Sequence, residues 1–283
     1  MTVYIIIIIV IALLFDFSNG MNDAANSIAT VVATRVLPLR LAVLWAAFFN
    51  FIAAFFFETH VAATIGKGLV AKDVIDPHLV LAALLAAIGW TLVCTRKGLP
   101  ISVSHALIGS LAGAALAKAG WAALTWPTLG KVAAFIVLSP LIGLAAASLI
   151  IFVLVWLCWD RAPRQVNRAF RFLQLISAAV YSLSHGLNDA QKTMGIILAL
   201  LLSVPSMQRY ATTDGTPDGH LAWWIILSCH AAIALGTYVG GWKVIHTLGH
   251  RVTRLQPFDG FAAETGGGVT IIALSTLGIP VST

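Results

Sequence analysis

Two stretches of this 283-residue chain combine carboxylates, amides and small residues inside apolar surroundings. Asn19, Asn22, Asp23 and Asn26 form the first; His185, Asn188, Asp189 and Lys192 form the second. An ionised Asp in an apolar spanning helix costs about 2.5–3.5 kcal/mol on insertion scales, so such a residue usually binds or moves something. A carboxylate accepts hydrogen bonds and donates none. Asp23 and Asp189 therefore suit a hard cation, Na+ or a proton, and an anion reaches them only across that cation. Asn19 and Asn26 are further candidate cation ligands, and Asn22 and Asn188 are candidates for the cation or its partner anion. Gly20 beside two Asn residues disfavours a continuous helix, so a helix break is expected at both stretches. A break exposes N–H groups for anions and carbonyls for cations, and occurs at membrane depth where it lines a cavity.

A second pair of segments supplies hydroxyls. Gly98-Leu99-Pro100-Ile101-Ser102 is followed by Ser104 and His105; Gly278-Ile279-Pro280-Val281-Ser282 is followed by Thr283. Proline suits a helix start. Ser102, Ser104, Ser282 and Thr283 then sit near free N–H groups, where they either cap the helix or bind an oxyanion. Lys192 has three readings: it neutralises that anion, pairs with Asp189, or snorkels to the interface. His105 and His185 carry protons or only hydrogen-bond. Glu264, ahead of Gly266-Gly267-Gly268, is another candidate cation ligand, whereas Gly89, Gly109 and Gly113 read as close helix packing. Cys94, Cys158 and Cys229 are far apart in apolar runs and read as packing residues, not a metal site.

The elements that must position these groups are membrane helices. The chain is 59% hydrophobic and 10% charged, against about 25% charged in soluble domains. Met1–Phe15, Leu41–Phe57, Leu79–Cys94, Leu129–Trp159 and Leu221–Ile245 approach or exceed the roughly 20 residues a spanning helix needs. The alternating segments of an outer-membrane barrel are absent. The first run lacks both a basic flank and a small-residue cleavage site, so it is expected to be retained as a span. Spans are expected at about 3–34, 41–57, 79–95, 98–118, 129–158, 174–204 and 222–247, with 98–118 alternatively a re-entrant hairpin. The net charge of +6 reports orientation and not a nucleic-acid partner, because the positive residues lie in short connections. Arg161, Arg164, Arg168 and Arg171 make the connection near mid-chain cytoplasmic, with Arg35, Arg40, Arg96, Lys97, Arg251 and Arg254 on the same side. The 58–78 connection, with Glu58 and Lys67, falls outside.

The motifs occur twice in the same order. Gly20 and Gly186 are 166 positions apart, and Gly98 and Gly278 are 180 apart. The expected fold is an all-α polytopic membrane protein of two inverted-topology repeats, with broken helices and Pro-Ser helix-start or hairpin segments. Residues 1–158 form the first repeat, 159–173 a basic cytoplasmic linker, and 174–283 the second. The first half continues past its own Pro-x-Ser copy, so the second repeat is expected to be truncated at its C-terminal end.

The segments NGMNDAANSIAT, SHGLNDAQKTMG, GLPISVSH and GIPVST resemble the signatures of the inorganic phosphate transporter (PiT) family, in its bacterial form, from Phe15 to Thr283. Animal members carry Glu where this chain has Asn50. The resemblance implies a secondary active transporter of inorganic phosphate, coupled to Na+ or H+, with no other cofactor. It implies alternating access at the repeat interface and roles for Asp23, Asp189, Ser102, Ser282 and Glu264, with Asp23 and Asp189 holding Na+ in a sodium-coupled member. It also implies an integral multi-pass protein of the lipid bilayer, in the inner membrane of a bacterium, and permits a homodimer. A sulfate or metal–phosphate carrier on the same fold, a passive anion channel, and last an intramembrane aspartic protease built on the two Asp residues are the alternatives.

Overall fold

Glycines, prolines and side-chain caps divide the chain into nine α-helices, with three short 3-10 turns, among the described residues. The computed structural model describes residues 2–56, 60–215, 220–240 and 255–282. Thr283, Glu58, Arg251, Arg254 and the end of the expected 222–247 span lie outside these, as does the side chain of Lys67. The helices are α1 (Thr2–Ala33), α2 (Leu39–Ile52), α3 (His60–Gly68), α4 (Pro77–Lys97), α5 (Val103–Ala119), α6 (Trp126–Cys158), α7 (Pro163–Leu202), α8 (Trp223–Val239) and α9 (Pro257–Thr276). Three of them, α1, α4 and α6, are long and apolar enough to cross a membrane. In α6 only Val132 is buried, and Val137, Leu141, Leu144, Phe152 and Trp156 are exposed. A helix apolar around its exposed faces belongs in lipid. The protein is integral to the membrane.

The expected breaks at the two Asn-Asp stretches do not occur. Both α1 and α7 run through them without interruption. The amides bond sideways to other groups instead of competing for the backbone: Asn22 to Thr95, Asn26 to Asp23 and Asn19 to Asp189. Gly20 serves a close approach. A Cβ there would meet Ile233 O at 2.1 Å, and one at Gly236 would meet Phe17 O at 2.0 Å, so α8 crosses α1 backbone to backbone. Gly89, Gly109 and Gly113 have nothing within 4 Å of an added Cβ and do not mark such crossings.

The breaks fall at the Pro-x-Ser segments. Gly98, with φ 69°, ends α4. Its N–H bonds Thr95 O at 3.0 Å, and Leu99 N–H bonds Cys94 O at 2.9 Å. Gly278 repeats the arrangement at φ 69°, with Gly278 N–H on Ser275 O and Ile279 N–H on Leu274 O, both at 3.0 Å. Both are the same left-handed glycine cap. Ser102 then caps α5, accepting from His105 N–H at 3.2 Å.

Helix α5 returns to the start of α4, where Lys118 bonds Val74 O at 2.7 Å and Asp76 at 2.8 Å. The two form a hairpin whose tip lies level with Asn22. That is about 20 Å along α1, at 1.5 Å per residue, from Arg35. Arg96 and Lys97 thus sit at this tip and not beside Arg35 as expected. The expected outer connection 58–78 contains α3, whose Val61, Ala62 and Ile65 are buried. Val61 and Ala62 donate their N–H groups to Gln191 of α7 at 2.8 and 3.3 Å. The basic mid-chain stretch is helical from Pro163 onward. Its Arg171 bonds Arg35 O at 2.8 Å, which places the two arginines on one side.

Contacts fix the directions. Tyr4 meets His78 and Asn22 meets Thr95, so α1 and α4 are parallel. Phe170 meets Phe258 and Asn188 meets Ser275, so α7 and α9 are parallel too. Thr34 meets Gln174 and Asn19 meets Asp189, so α1 and α7 are antiparallel. The two copies of the motif set therefore point in opposite directions.

Candidate functional site

The crossing of α1 and α7 brings the two Asn-Asp stretches into contact. Asn19 donates to Asp189 Oδ2 at 3.2 Å. At the reciprocal position His185 Nε2 lies 3.8 Å from Asp23 Oδ2 and 3.5 Å from Asp189 Oδ2. Ligand atoms of Asp23, His185 and Asp189 all lie within 4.8 Å of one another, and all three residues are buried. The orientation of His185 comes from α2. Asn50 donates to Thr237 at 2.9 Å, which leaves its Oδ1 to accept from His185 Nδ1 at 3.1 Å. Nδ1 thus carries the proton and Nε2 faces the two carboxylates without a hydrogen-bond partner. An imidazole nitrogen and two carboxylates are all acceptors unless a cation or a proton lies among them. The donor set fits a cation.

Each carboxylate is also held one turn on along its own helix. Asn26 donates to Asp23 Oδ1 at 3.1 Å, and Lys192 to Asp189 Oδ1 at 2.6 Å. Lys192 is 1% exposed, so it does not snorkel. Its ammonium also donates to Val281 O at 2.6 Å and to Ser104 Oγ, which uses all three of its donors. Asn188 donates to Asp189 Oδ1 and to Val281 O, each at 2.8 Å.

The two asparagines preceding the aspartates turn toward the helix ends. Asn22 donates to Thr95 at 2.7 Å; Asn188 accepts from Ser275 at 3.3 Å. Thr95 and Ser275 stand three residues before Gly98 and Gly278, so the same link joins the two motifs of each copy. Beyond those glycines, Ser282 donates to Ser102 at 2.8 Å. A cavity of about 380 Å³ reaches Ser282, lined also by His105, Ser139, Tyr181, Thr270 and Val281 among others.

Of the expected site residues, Asn19, Asp23, Asn26, Asn188, Asp189, Lys192 and Ser104 join one network, and Ser102 and Ser282 meet at its edge. Asn22 is held at the tip of the α4–α5 hairpin. Glu264 lies elsewhere. It accepts from Thr30 and Ser177, each at 2.5 Å, and from Gln174 at 3.2 Å. Thr30 is about 10 Å along α1 from Asp23. Thr95, Ser275, Thr237 and the orienting role of Asn50 escape a reading of motifs. Only the matching spacing before the two glycines points to the first two.

Residues 19–283 match the Phosphate transporter family. A relative in Rhizobium meliloti (strain 1021), named "Probable low-affinity inorganic phosphate transporter", is 51% identical over 276 residues, covering 98% of this chain and 80% of the relative. One of the same name in Bacillus subtilis (strain 168) is 39% identical, covering 98% of this chain and 81% of the relative. A solved structure titled "The sodium-dependent phosphate transporter" superposes with a TM-score of 0.87 at 26% identity, covering 100% of this chain and 86% of that one. Paired motifs, the helical fold around them and sequence identity over almost the whole length agree: the chain belongs to the phosphate transporter family.

Proposed function

We propose that this protein is a secondary active transporter of inorganic phosphate, coupled to a monovalent cation. The observation that carries the reading is the antiparallel crossing of the two Asn-Asp stretches, with the paired serines beside it. The cation binds among Asp23, Asp189 and the free Nε2 of His185, with Asn26 steadying Asp23 and Asn19 steadying Asp189. Phosphate binds next to it, at the start of α5 and the Pro280–Ser282 segment, where Ser102, Ser104, Ser282, Asn188 and Lys192 converge. Thr283 follows that segment directly. Helix-start N–H groups and hydroxyls favour an oxyanion there. Lys192 supplies positive charge, exchanging its Ser104 contact for a phosphate oxygen.

Coupling follows from charge. Phosphate beside two carboxylates is repelled unless a cation lies between them, so neither substrate binds well alone. Glu264, ringed by Thr30, Ser177 and Gln174, is a further cation ligand set apart along α1. Rocking of the two oppositely directed copies against each other exposes the site to alternate sides. The cation is Na+ on the strength of the solved neighbour's title, and the proton is its competitor. The family is one of transporters, so the Asp23–Asp189 pair is not a protease dyad.

The test is phosphate accumulation in proteoliposomes under a Na+ gradient and, separately, a pH gradient. Accumulation under the Na+ gradient is expected, with loss in Asp23→Asn and Asp189→Asn. Phosphate flux that only runs downhill would mean a passive anion channel. No phosphate uptake in active vesicles would turn the reading to a sulfate or metal–phosphate carrier.

A further inference from the structure

Apart from Thr91 Oγ1 on α4, the buried polar atoms that lack hydrogen-bond partners among the described residues fall into a pattern. They include both carboxylate oxygens of Asp16, Asn19 Oδ1, Ser27 Oγ, Ser182 Oγ, His185 Nε2 and Thr193 Oγ1. Shifted by the 166 positions that relate Gly20 to Gly186, Asp16 falls on Ser182, Asn19 on His185 and Ser27 on Thr193. Each helix thus carries one polar stripe at helical spacing: Asp16, Asn19, Asp23 and Ser27 on α1, and Ser182, His185, Asp189 and Thr193 on α7. The helices cross antiparallel, so the upper end of one stripe faces the lower end of the other. The unpartnered atoms therefore lie on both sides of the Asp23–His185–Asp189 cluster, in two related places.

The two places differ in charge. At one the stripes carry Ser182 and Ser27, both neutral hydroxyls. The other sets Asp16 against Thr193 on α7, without a well-formed hydrogen bond between them. Since a serine fills the equivalent position, packing alone does not require a carboxylate at Asp16. The titratable groups facing Asp16 are Asp189 and Lys192 on α7 and the neutral Cys229 thiol on α8. Lys192 is already committed to Asp189. Helix α2 has only Arg40, in its first turn, and the ionisable groups of α4 are His78 beside Tyr4 and Cys94, Arg96 and Lys97 at the hairpin tip. Asp16 is 0% exposed, and a buried charge without a counter-charge is not sustained. A proton or a cation must supply the positive charge, and oxygen ligands are available for a cation.

We propose that Asp16, with Asn19 Oδ1 and Thr193 Oγ1, forms an additional Na+ site, separate from the cation site at Asp23, His185 and Asp189 and from Glu264. A hard cation takes oxygen ligands of this kind, and a single charge matches the single uncompensated carboxylate. Asn19 joins the two sites, since its Nδ2 bonds Asp189 while its Oδ1 stays free. The inference rests on the transport reading for its context but not for its measurement.

Radiolabelled Na+ binding to the purified protein, without phosphate, tests it. Asp16→Asn is expected to bind one Na+ fewer per chain than the wild type. Thr193→Val, which keeps the carboxylate, is expected to weaken that site roughly tenfold, the effect of losing one ligand interaction. An unchanged Na+ number and affinity in Asp16→Asn overturns the proposal; should that variant fail to fold, unchanged affinity in Thr193→Val overturns it. Phosphate binding, read in the same preparations, separates the two readings. Na+ lost in Asp16→Asn from a protein that binds no phosphate supports this site and sinks the phosphate assignment. Intact phosphate binding with no Na+ change in either variant does the reverse.

Discussion

Ser282 Oγ donates to Ser102 Oγ across 2.8 Å, so the equivalent serines of two motifs that lie 180 positions apart touch each other. They meet at the edge of the polar network, with the cavity opening onto Ser282. Among the described residues Ser102 also caps a helix, through His105 N–H. That difference allows ligand binding to be separated from folding. Ser282→Ala and Ser102→Ala should each raise the KM for phosphate about tenfold, equivalent to losing one charge-assisted hydrogen bond. Ser102→Ala should also lower stability, by about 1 kcal/mol for the lost cap. Uptake kinetics and thermal unfolding on the same samples check this; an unchanged KM in Ser282→Ala removes the serine pair from the substrate site.

Asp189 and Lys192 are a buried pair whose members depend on each other. Asp189→Asn leaves the ammonium without its counter-charge and should cost about 3–5 kcal/mol. Adding Lys192→Met should recover most of that loss, because an apolar replacement removes the stranded charge. Neither variant should accumulate phosphate. Recovery of both stability and transport in the double variant would show that the pair is structural only.

The α1–α8 crossing has no room for a side chain at Gly20 or Gly236. Gly20→Ala and Gly236→Ala should each destabilise by about 1–3 kcal/mol, as overpacking does. Gly109→Ala, in open space on α5, should instead be neutral or slightly stabilising through helix propensity. Unfolding midpoints in detergent give the ranking, and a neutral Gly20→Ala would contradict the packing described.

Asp76 links the α4–α5 hairpin at its open end. Its side chain accepts from Leu79 N–H at 2.8 Å and pairs with Lys118 at 2.8 Å. Partial burial works to raise its pKa, but the Lys118 hydrogen bond, the Leu79 N–H and the charges of Lys118 and His78 outweigh it and hold the carboxyl below its ordinary value. A carboxyl with a depressed folded-state pKa stabilises above its unfolded value, and that contribution fades as pH falls through the folded value. Asp76→Ala should therefore cost about 1 kcal/mol near neutral pH, chiefly as a lost cap. The gap to the wild type should shrink below about pH 3, once the wild-type carboxyl is protonated. A gap that widens on acidification would reverse the sign and refute the argument.

Much of the site was legible because membrane burial makes polar residues conspicuous. Asp23 and Asp189 stand out in apolar surroundings, and the recurrence of each motif in order identifies two copies. The helix breaks at Gly98 and Gly278 follow from local chemistry, since glycine, then proline, then a capping serine stops one helix and starts another. The expected breaks at Asn19–Asn26 and His185–Lys192 failed for a non-local reason. Propensity scores Gly20 and the asparagines against water, whereas here neighbouring helices satisfy the amides and need the glycine for contact. Asp16 passed unnoticed because it precedes the repeated motif, and its counterpart, Ser182, is not acidic.

Sequence by itself determined the solvent, the helical class, the duplicated motifs and the chemical kinds of group available at the site. These depend on composition and on spacing along one helix. Tertiary structure alone decided which groups meet: Asn19 with Asp189, His185 with both aspartates, Lys192 with Ser104, and Glu264 with Thr30 instead of the main cluster. Such pairings join residues far apart in the chain. They depend on the direction and depth at which α1 and α7 cross, and on backbone-close packing of α8 on α1 at Gly20 and of α2 on α7 at Gly186, which no single motif encodes.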